Sequence, residues 1–271
     1  MPYGNFTRKR RPVQRKRRTA TKGKTAKLRK PVANAVKSIV NRTIHRNMEN
    51  KIEQTLSANN TVSSYASNSS LFVVSCIPYT AISQGVGQGD RIGNTIRTRK
   101  VMFNYVLKPS PYSASLNPTP IPQEVFIFFG KVKNAKPQAP ISTDFAKLWQ
   151  AGDSYHAPYS NLLDCIQDVN KDWFTVYKIL RHKIGYAITS TAGMAPSNEY
   201  YANNDFKFNV ARKVNITKFT PKVVKFNDTT AQPTNDGLWM WAMCVNADGS
   251  GTVNASPIQM DYTLNYEYED A

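Results

Sequence analysis

The C-terminal stretch decides the fold, because residues 258–269 read IQMDYTLNYEYE and alternate apolar and polar side chains without a break. A period of two marks a β-strand with one buried and one solvated face, and no helix spaces its apolar residues in that way. Val101, Phe103, Tyr105 and Leu107 alternate in the same manner. The sequence therefore predicts a long, two-faced strand at each of these places.

Other segments show different strand patterns. Residues 125–129 (VFIFF) and 238–243 (LWMWAM) are continuously apolar, as expected of strands covered on both faces. Further β runs are predicted at residues 51–56, 71–77, 174–184, 206–216 and 222–226. Segments rich in Pro, Gly, Asn and Ser separate them, and short helices are expected at residues 142–150 and 161–168.

The strand pattern also predicts the fold class. Phe174, Val176, Leu180 and Ile184 are expected to share one face of their strand because they recur at even spacing. With the run at residues 71–77 set aside as a minor one, the segments make eight principal strands when counted conservatively. We predict an all-β fold, an eight-stranded antiparallel sandwich of the jelly-roll type, which one domain of this length can form.

Positive charge is concentrated at the N-terminus. Residues 1–48 contain sixteen Lys or Arg and no Asp or Glu, whereas the other 223 residues carry a net charge of only +2. A block of like charge with few apolar residues cannot collapse and is typical of a tail that binds a polyanion. We therefore divide the chain into a basic nucleic-acid-binding arm, residues 1–48, and a body, residues 49–271.

The first part of the arm, residues 1–30, is expected to be disordered until it binds. Its contacts with phosphates would be independent of sequence and sensitive to salt, and without interleaved aromatic residues they would not distinguish DNA from RNA. The same clusters fit a two-part nuclear import signal. The predicted nucleic-acid-binding residues are Arg8, Lys9, Arg10, Arg11, Arg15, Lys16, Arg17, Arg18, Lys22, Lys24, Lys27, Arg29, Lys30, Lys37, Arg42 and Arg46.

The second part of the arm, residues 32–48, has the spacing of an amphipathic helix of about four turns. Val36, Ile39, Val40 and Ile44 form its apolar stripe. A helix of this length is marginal alone in water, so it should form by packing on the body, on nucleic acid or on copies of itself. An anionic membrane is a weaker alternative, because the stripe has no Trp, Phe or Leu to insert.

Known catalytic patterns do not fit the sequence. The only histidines are His45, His156 and His182, the last expected on the solvated face of a strand, and no Gly-x-Ser-x-Gly elbow is present. The glycine-rich residues 85–89 lack the Lys-Ser/Thr of a phosphate-binding P-loop. We therefore predict no enzymatic activity. No stretch has the ~20 apolar residues of a membrane helix, so no membrane insertion is expected.

Metal chemistry has one candidate. Asp164, Asp168 and Asp172 recur every four residues and could help to hold a structural Ca²⁺ between subunits, although a solvated loop is the favoured interpretation. The three cysteines are far apart, without a Cys-x-x-Cys pair, and are expected to be free thiols. No other cofactor is predicted.

The order of segments resembles a known family. Helix-forming residues 35–41 lead into the first strand, the Gly-Asp-Arg-containing loop at residues 88–94 precedes a basic strand at 96–107, and the last strand is aromatic. This order is similar to the coat protein of the satellite tobacco necrosis virus type, which recurs in small circular single-stranded DNA viruses that encode a replication protein. The resemblance extends over nearly the whole chain.

The resemblance implies a structural capsid protein. About 60 copies would form a T=1-like icosahedral shell around a single-stranded genome, DNA in preference to RNA, with the arm helices clustered near threefold axes. The location would be the virion, with passage through the host nucleus and contact with a nuclear import receptor. The alternative is a basic-tailed host nucleic-acid-binding protein of the ribosomal or chromatin type.

Overall fold

The structure is a computed structural model that describes residues 32, 34–40, 49–65, 71–85, 90–110, 120–133, 139–185, 187–188, 200–201, 207–227, 230–235, 237–247 and 258–270. The chain divides into two units, Met1–Asn47 and Met48–Ala271. In the first unit, residue 32 and residues 34–40 are helical, and the latter are called α1. The rest of the helix predicted to end at residue 48 lies outside the described residues.

The second unit is built almost entirely of strands. They are β1 (Asn50–Val62), β2 (Phe72–Ser75), β3 (Thr95–Lys108), β4 (Gln123–Val132), β5 (Trp149–Ala151), β6 (Ser154–His156), β7 (Phe174–Ile184), β8 (Ala187–Ile188), β9 (Tyr200–Tyr201), β10 (Val210–Asn215), β11 (Val223–Asn227), β12 (Thr230–Pro233), β13 (Trp239–Asn246) and β14 (Ile258–Asp270). The short helices are α2 (Ser142–Phe145) and the 3₁₀ turns η1 (Leu162–Cys165) and η2 (Thr217–Phe219).

The larger sheet has six strands in the order β1-β14-β3-β11-β12, with β10 pairing the other half of β3. β14 is central and antiparallel to both neighbours, so that Leu264 lies opposite Thr55 on β1 and opposite Phe103 on β3. Met260, Leu264 and Tyr266 are buried on one face, while the residues between them are partly exposed. The alternation predicted for the C-terminal stretch is confirmed.

The smaller sheet has four antiparallel strands in the order β2-β13-β4-β7. The main hydrophobic core lies between the two sheets, where Phe103 meets Phe129 edge to face with ring centroids 5.6 Å apart. A second cluster covers the other face of the four-stranded sheet, where Phe128 stacks on Trp241 at 5.4 Å beneath Phe145. Each buried Phe contributes roughly 1.5–3 kcal/mol. The prediction that β4 and β13 are covered on both faces is confirmed.

β7 contains a β-bulge that the sequence pattern did not reveal. Lys178 pairs with Phe129 and Val176 pairs with Gly130, so Tyr177 is the extra residue. A methyl group at Gly130 would overlap two neighbours. It would lie only 2.8 Å from the Trp241 indole and closer still to the backbone carbonyl oxygen of Thr175. Glycine is therefore required opposite the bulge.

The bulge reverses the faces of β7 along its length. Phe174 and Val176 pack in the second cluster, whereas Leu180 and Ile184 pack in the main core. The prediction that these four residues share one face is wrong, because one inserted residue shifts a period of two by half a cycle.

The predicted short helices are present but shorter than expected. α2 ends at Phe145, and residues 149–151 already belong to β5. η1 covers only four of the eight residues from 161 to 168. The described residues form fourteen strands rather than eight. Nine of them overlap the nine predicted β runs, and the other five, β5, β6, β8, β9 and β12, are two to four residues long and leave no periodic pattern to recognise.

Candidate functional site

The described part of the arm is the helix α1. Val36, Ile39 and Val40 are 45%, 64% and 48% exposed, so the predicted stripe presents its side chains to solvent. Lys37 lies on the same helix and is exposed. Ile44, the fourth residue of the stripe, lies outside the described residues. So do all the predicted nucleic-acid-binding residues other than Lys37, and their roles remain predictions.

The Asp164 carboxylate is held by hydrogen bonds from its own loop. The residue is fully buried, and its two carboxylate oxygens accept the backbone N–H groups of Tyr159 at 2.9 Å and Ser160 at 2.7 Å. Burial raises the pKa of this carboxyl, although both hydrogen bonds oppose the shift. These bonds fix the turn that leads into η1, in which Ser160 has a φ of 61°.

The other two carboxylates of the candidate calcium site are not aligned with Asp164. η1 ends at Cys165, so Asp168 and Asp172 lie beyond it, both exposed, and do not continue one helical face. Within the described ranges, no three His, Cys, Asp or Glu side chains are grouped so that they could hold a metal ion.

His182 connects the two sheets. Its Nε2 lies 2.7 Å from the hydroxyl of Tyr105, so β7 and β3 are joined through a polar contact at the edge of the main core. Burial lowers the pKa of His182, and the nearby cations Arg212 and Lys207 lower it further. Burial also raises the pKa of the Tyr105 hydroxyl. The prediction that His182 is on the solvated face is wrong.

The Gly-Asp-Arg segment anchors one end of the six-stranded sheet. Arg91 is 3% exposed, donates to the carbonyl of Gly93 at 2.7 Å and lies over the Phe226 ring at 4.4 Å. The buried Lys51 ammonium donates to the Asp90 carbonyl and lies 3.4 Å from the Asp270 carboxylate. This segment therefore holds β1, β14 and the loop before β3 together.

The edge strand β1 carries its polar and apolar residues on unexpected faces. Lys51 lies opposite Tyr268 and Thr55 opposite Leu264, so polar residues face inward. Ile52 and Leu56 point the other way and are 67% and 72% exposed. Large apolar side chains aligned on one outward face are typical of a surface that binds another protein.

Two surface features adjoin exposed apolar residues. A groove of about 380 Å³ runs across β1, β14, β3 and β10 on the outer face of the six-stranded sheet. The other feature is an exposed apolar patch around β6 and η1, which consists of Tyr155, Tyr159, Leu162, Leu163 and Ile166. Strand periodicity could not predict this patch, because its residues lie in a three-residue strand, in η1 and in the segments beside them.

Comparisons with known proteins establish no family. No protein-family model matches the chain, and no curated protein matches it. Among solved structures, a chain from Desmodium yellow mottle tymovirus is similar at 13% identity and a TM-score of 0.30, over 82% of this chain and 87% of that chain. Similarity at this level assigns no function. No helix among the described residues is long and apolar enough to cross a membrane.

Proposed function

We propose that the chain is the capsid subunit of a small virus, which self-assembles into a closed shell and packages a single-stranded genome through its basic arm. The observation that carries the proposal is the combination of a polycationic arm with a neutral body made of two packed antiparallel sheets. A body that assembles into a shell would gather many arms around one nucleic acid.

The strand order supports a jelly-roll body. With β10 and β11 counted as one position, the principal strands β1, β2, β3, β4, β7, β10/β11, β13 and β14 can be numbered one to eight. The six-stranded sheet then has the order 1-8-3-6 and the four-stranded sheet the order 2-7-4-5. Successive strands alternate between the sheets except from β4 to β7, as in a double-sheet jelly roll. Such a fold serves several functions, so the arm must carry the functional argument.

The outward apolar residues support self-association. Ile52 and Leu56 would be costly to leave in water if the body worked as a monomer, and their burial between subunits would favour assembly. We propose a T=1-like shell of about 60 copies, the smallest closed icosahedral arrangement.

Charge supports packaging. About 60 arms of +16 each would supply on the order of 960 positive charges, enough for a comparable number of phosphates at one charge per nucleotide. We propose single-stranded DNA as the genome, the virion as the location and the host nucleus as the site of assembly, reached through an import receptor. Stable binding needs neither catalysis nor a cofactor, and we assign none.

The decisive experiment is size-exclusion chromatography and electron microscopy of the purified full chain. We expect closed particles that protect nucleic acid from nuclease, and digestion with DNase or RNase would identify the genome. Deletion of residues 1–30 should leave a folded body that no longer packages a genome. A monomer that changes size only when nucleic acid is added would overturn the proposal and favour a basic-tailed host nucleic-acid-binding protein.

A further inference from the structure

The body has its own concentration of positive charge. Residues 207–227, here called the basic strip, contain six Lys or Arg and no Asp or Glu, although the whole body carries only +2. The strip comprises β10, η2 and β11. Lys213, Lys218, Lys222 and Lys225 are exposed, and within the described part of the chain none of them forms an ion pair with a carboxylate.

This arrangement differs from the neighbouring strand β3. There Arg99 is paired with Glu269 at 2.6 Å, and Lys100 is paired with Glu267 at 3.1 Å. These cations of β3 are therefore neutralised across the sheet by β14, whereas the four exposed lysines of the strip have no such partner among the described residues.

A cavity of about 370 Å³ opens beside the strip, between the end of β4, the bulge of β7, η2, Asn235 and Gly237. Tyr177 and Phe219 line it as a parallel pair, with ring centroids 5.4 Å apart and planes 12° apart. The Lys218 ammonium lies 4.8 Å from the Phe219 centroid, and Lys131 also lines the cavity. Tyr177 remains 39% exposed, so part of its ring can accept a further stacking partner.

The walls of the cavity are fixed by hydrogen bonds. The Thr98 hydroxyl donates to the Pro221 carbonyl at 2.7 Å, and the buried Thr220 hydroxyl donates to the Ile216 carbonyl at 3.2 Å. The Asn235 amide donates to the Val223 carbonyl at 2.7 Å. A preformed site loses little conformational entropy when a ligand enters it.

We propose that this cavity binds one nucleotide of a single-stranded nucleic acid, with the base stacked on Tyr177 and the flanking phosphates held by Lys218 and Lys222. The proposal deepens the proposed function, on which it rests, by adding a contact on the body to those of the arm. An aromatic platform beside unpaired lysines is the combination that binds single strands without sequence preference. The volume is in the range of small-ligand sites and can admit a base.

The test uses the full chain and a 12-nucleotide oligothymidylate. After ultraviolet crosslinking and digestion, mass spectrometry should find thymidylate on the peptide that contains Tyr177 or on the one that contains Phe219. Tyr177→Ala should weaken binding about five-fold or more, the effect of one lost base stack. Tyr177→Phe keeps the ring and should bind as the wild type does. Free thymidine monophosphate should compete poorly, because it lacks the neighbouring phosphates.

Matched controls separate this site from general charge effects. Tyr155→Ala removes an exposed tyrosine elsewhere and should not change affinity. Lys218→Ala should lower the dependence of log K on log salt by about 0.7, whereas Lys100→Ala, which removes the same charge from a lysine paired with Glu267, should change it less.

The outcomes distinguish this inference from the function on which it rests. Crosslinks confined to arm peptides, with wild-type affinity in Tyr177→Ala, would overturn the body site and leave the capsid proposal standing. A Tyr177→Ala variant that loses particles but keeps its affinity for the oligonucleotide would also overturn it and would indicate a protein contact. A full chain that forms no particles and binds no nucleic acid would overturn both.

Discussion

Replacement of Asp164 by Ala should destabilise the body, because it leaves one buried and one partly buried backbone donor without acceptors. The N–H groups of Tyr159 and Ser160 are 2.9 and 2.7 Å from the two carboxylate oxygens, and Asp164 is 0% exposed. Each buried donor that loses its partner costs about 1–3 kcal/mol. Removing a carboxylate that is costly to bury, as its raised pKa indicates, returns part of that loss. Because only the Ser160 donor is fully buried, we expect the free energy of unfolding to fall by about 1–3 kcal/mol.

Urea denaturation followed by tryptophan fluorescence measures this change. Asp168→Ala is the matched control, because Asp168 is exposed and should change stability by no more than about 0.5 kcal/mol. Both proteins and the wild type are compared in calcium and in EDTA. If Asp164 only fixes the turn at Ser160, chelation leaves the wild type unchanged. Loss of wild-type stability in EDTA to the level of Asp164→Ala would refute this reasoning and restore the calcium interpretation.

Three further predictions test other parts of the structure. Burial lowers the pKa of His182 below the 6.5 of the unfolded chain, so the unfolded state binds a proton first as pH falls. The free energy of unfolding should therefore fall as pH drops below about 6.5. Urea titrations at several pH values should show a flatter dependence on pH in His182→Gln. Ile52→Asp with Leu56→Asp should abolish particles in electron micrographs, and unchanged particle yield would remove these residues from the subunit contact. Gly130→Ala should lower the free energy of unfolding by about 1–3 kcal/mol in the same urea assay, because the added methyl group overlaps the Thr175 backbone. Full wild-type stability would mean that the bulge adapts freely.

The strands with the clearest patterns could be predicted from sequence. β14 and β3 alternate, and β4 and β13 are continuously apolar, because burial on one face or on both is recorded directly in the order of residues. β7 could not be predicted as well, since its bulge is set by the partner strand at Gly130. His182 likewise depends on a long-range partner, Tyr105, that no local pattern identifies.

β1 shows why the candidate surfaces were harder to predict than the core. A pattern of Lys51, Ile52, Thr55 and Leu56 alone would bury the apolar residues, yet pairing with β14 turns the polar ones inward. The Lys51 ammonium is satisfied there by Asp270, a residue at the other end of the body's sequence. Which face of an edge strand is buried is thus decided by a distant charge partner, and the exposed apolar face is the consequence.

The same long-range pairing explains how a nearly neutral body can present a locally positive surface. The body's charge of +2 is the sum of +6 on residues 207–227 and −4 on the remainder. Carboxylates of β14 neutralise β3 across the sheet, through pairs such as Arg99 with Glu269, and the described ion pairs do not involve the strip. Fields from separated charges act locally, since the Debye length is only about 8 Å at physiological salt. A phosphate near Lys218 or Lys222 would therefore experience the positive potential of the strip and not the average charge of the body. The net charge alone underestimates what this surface can bind.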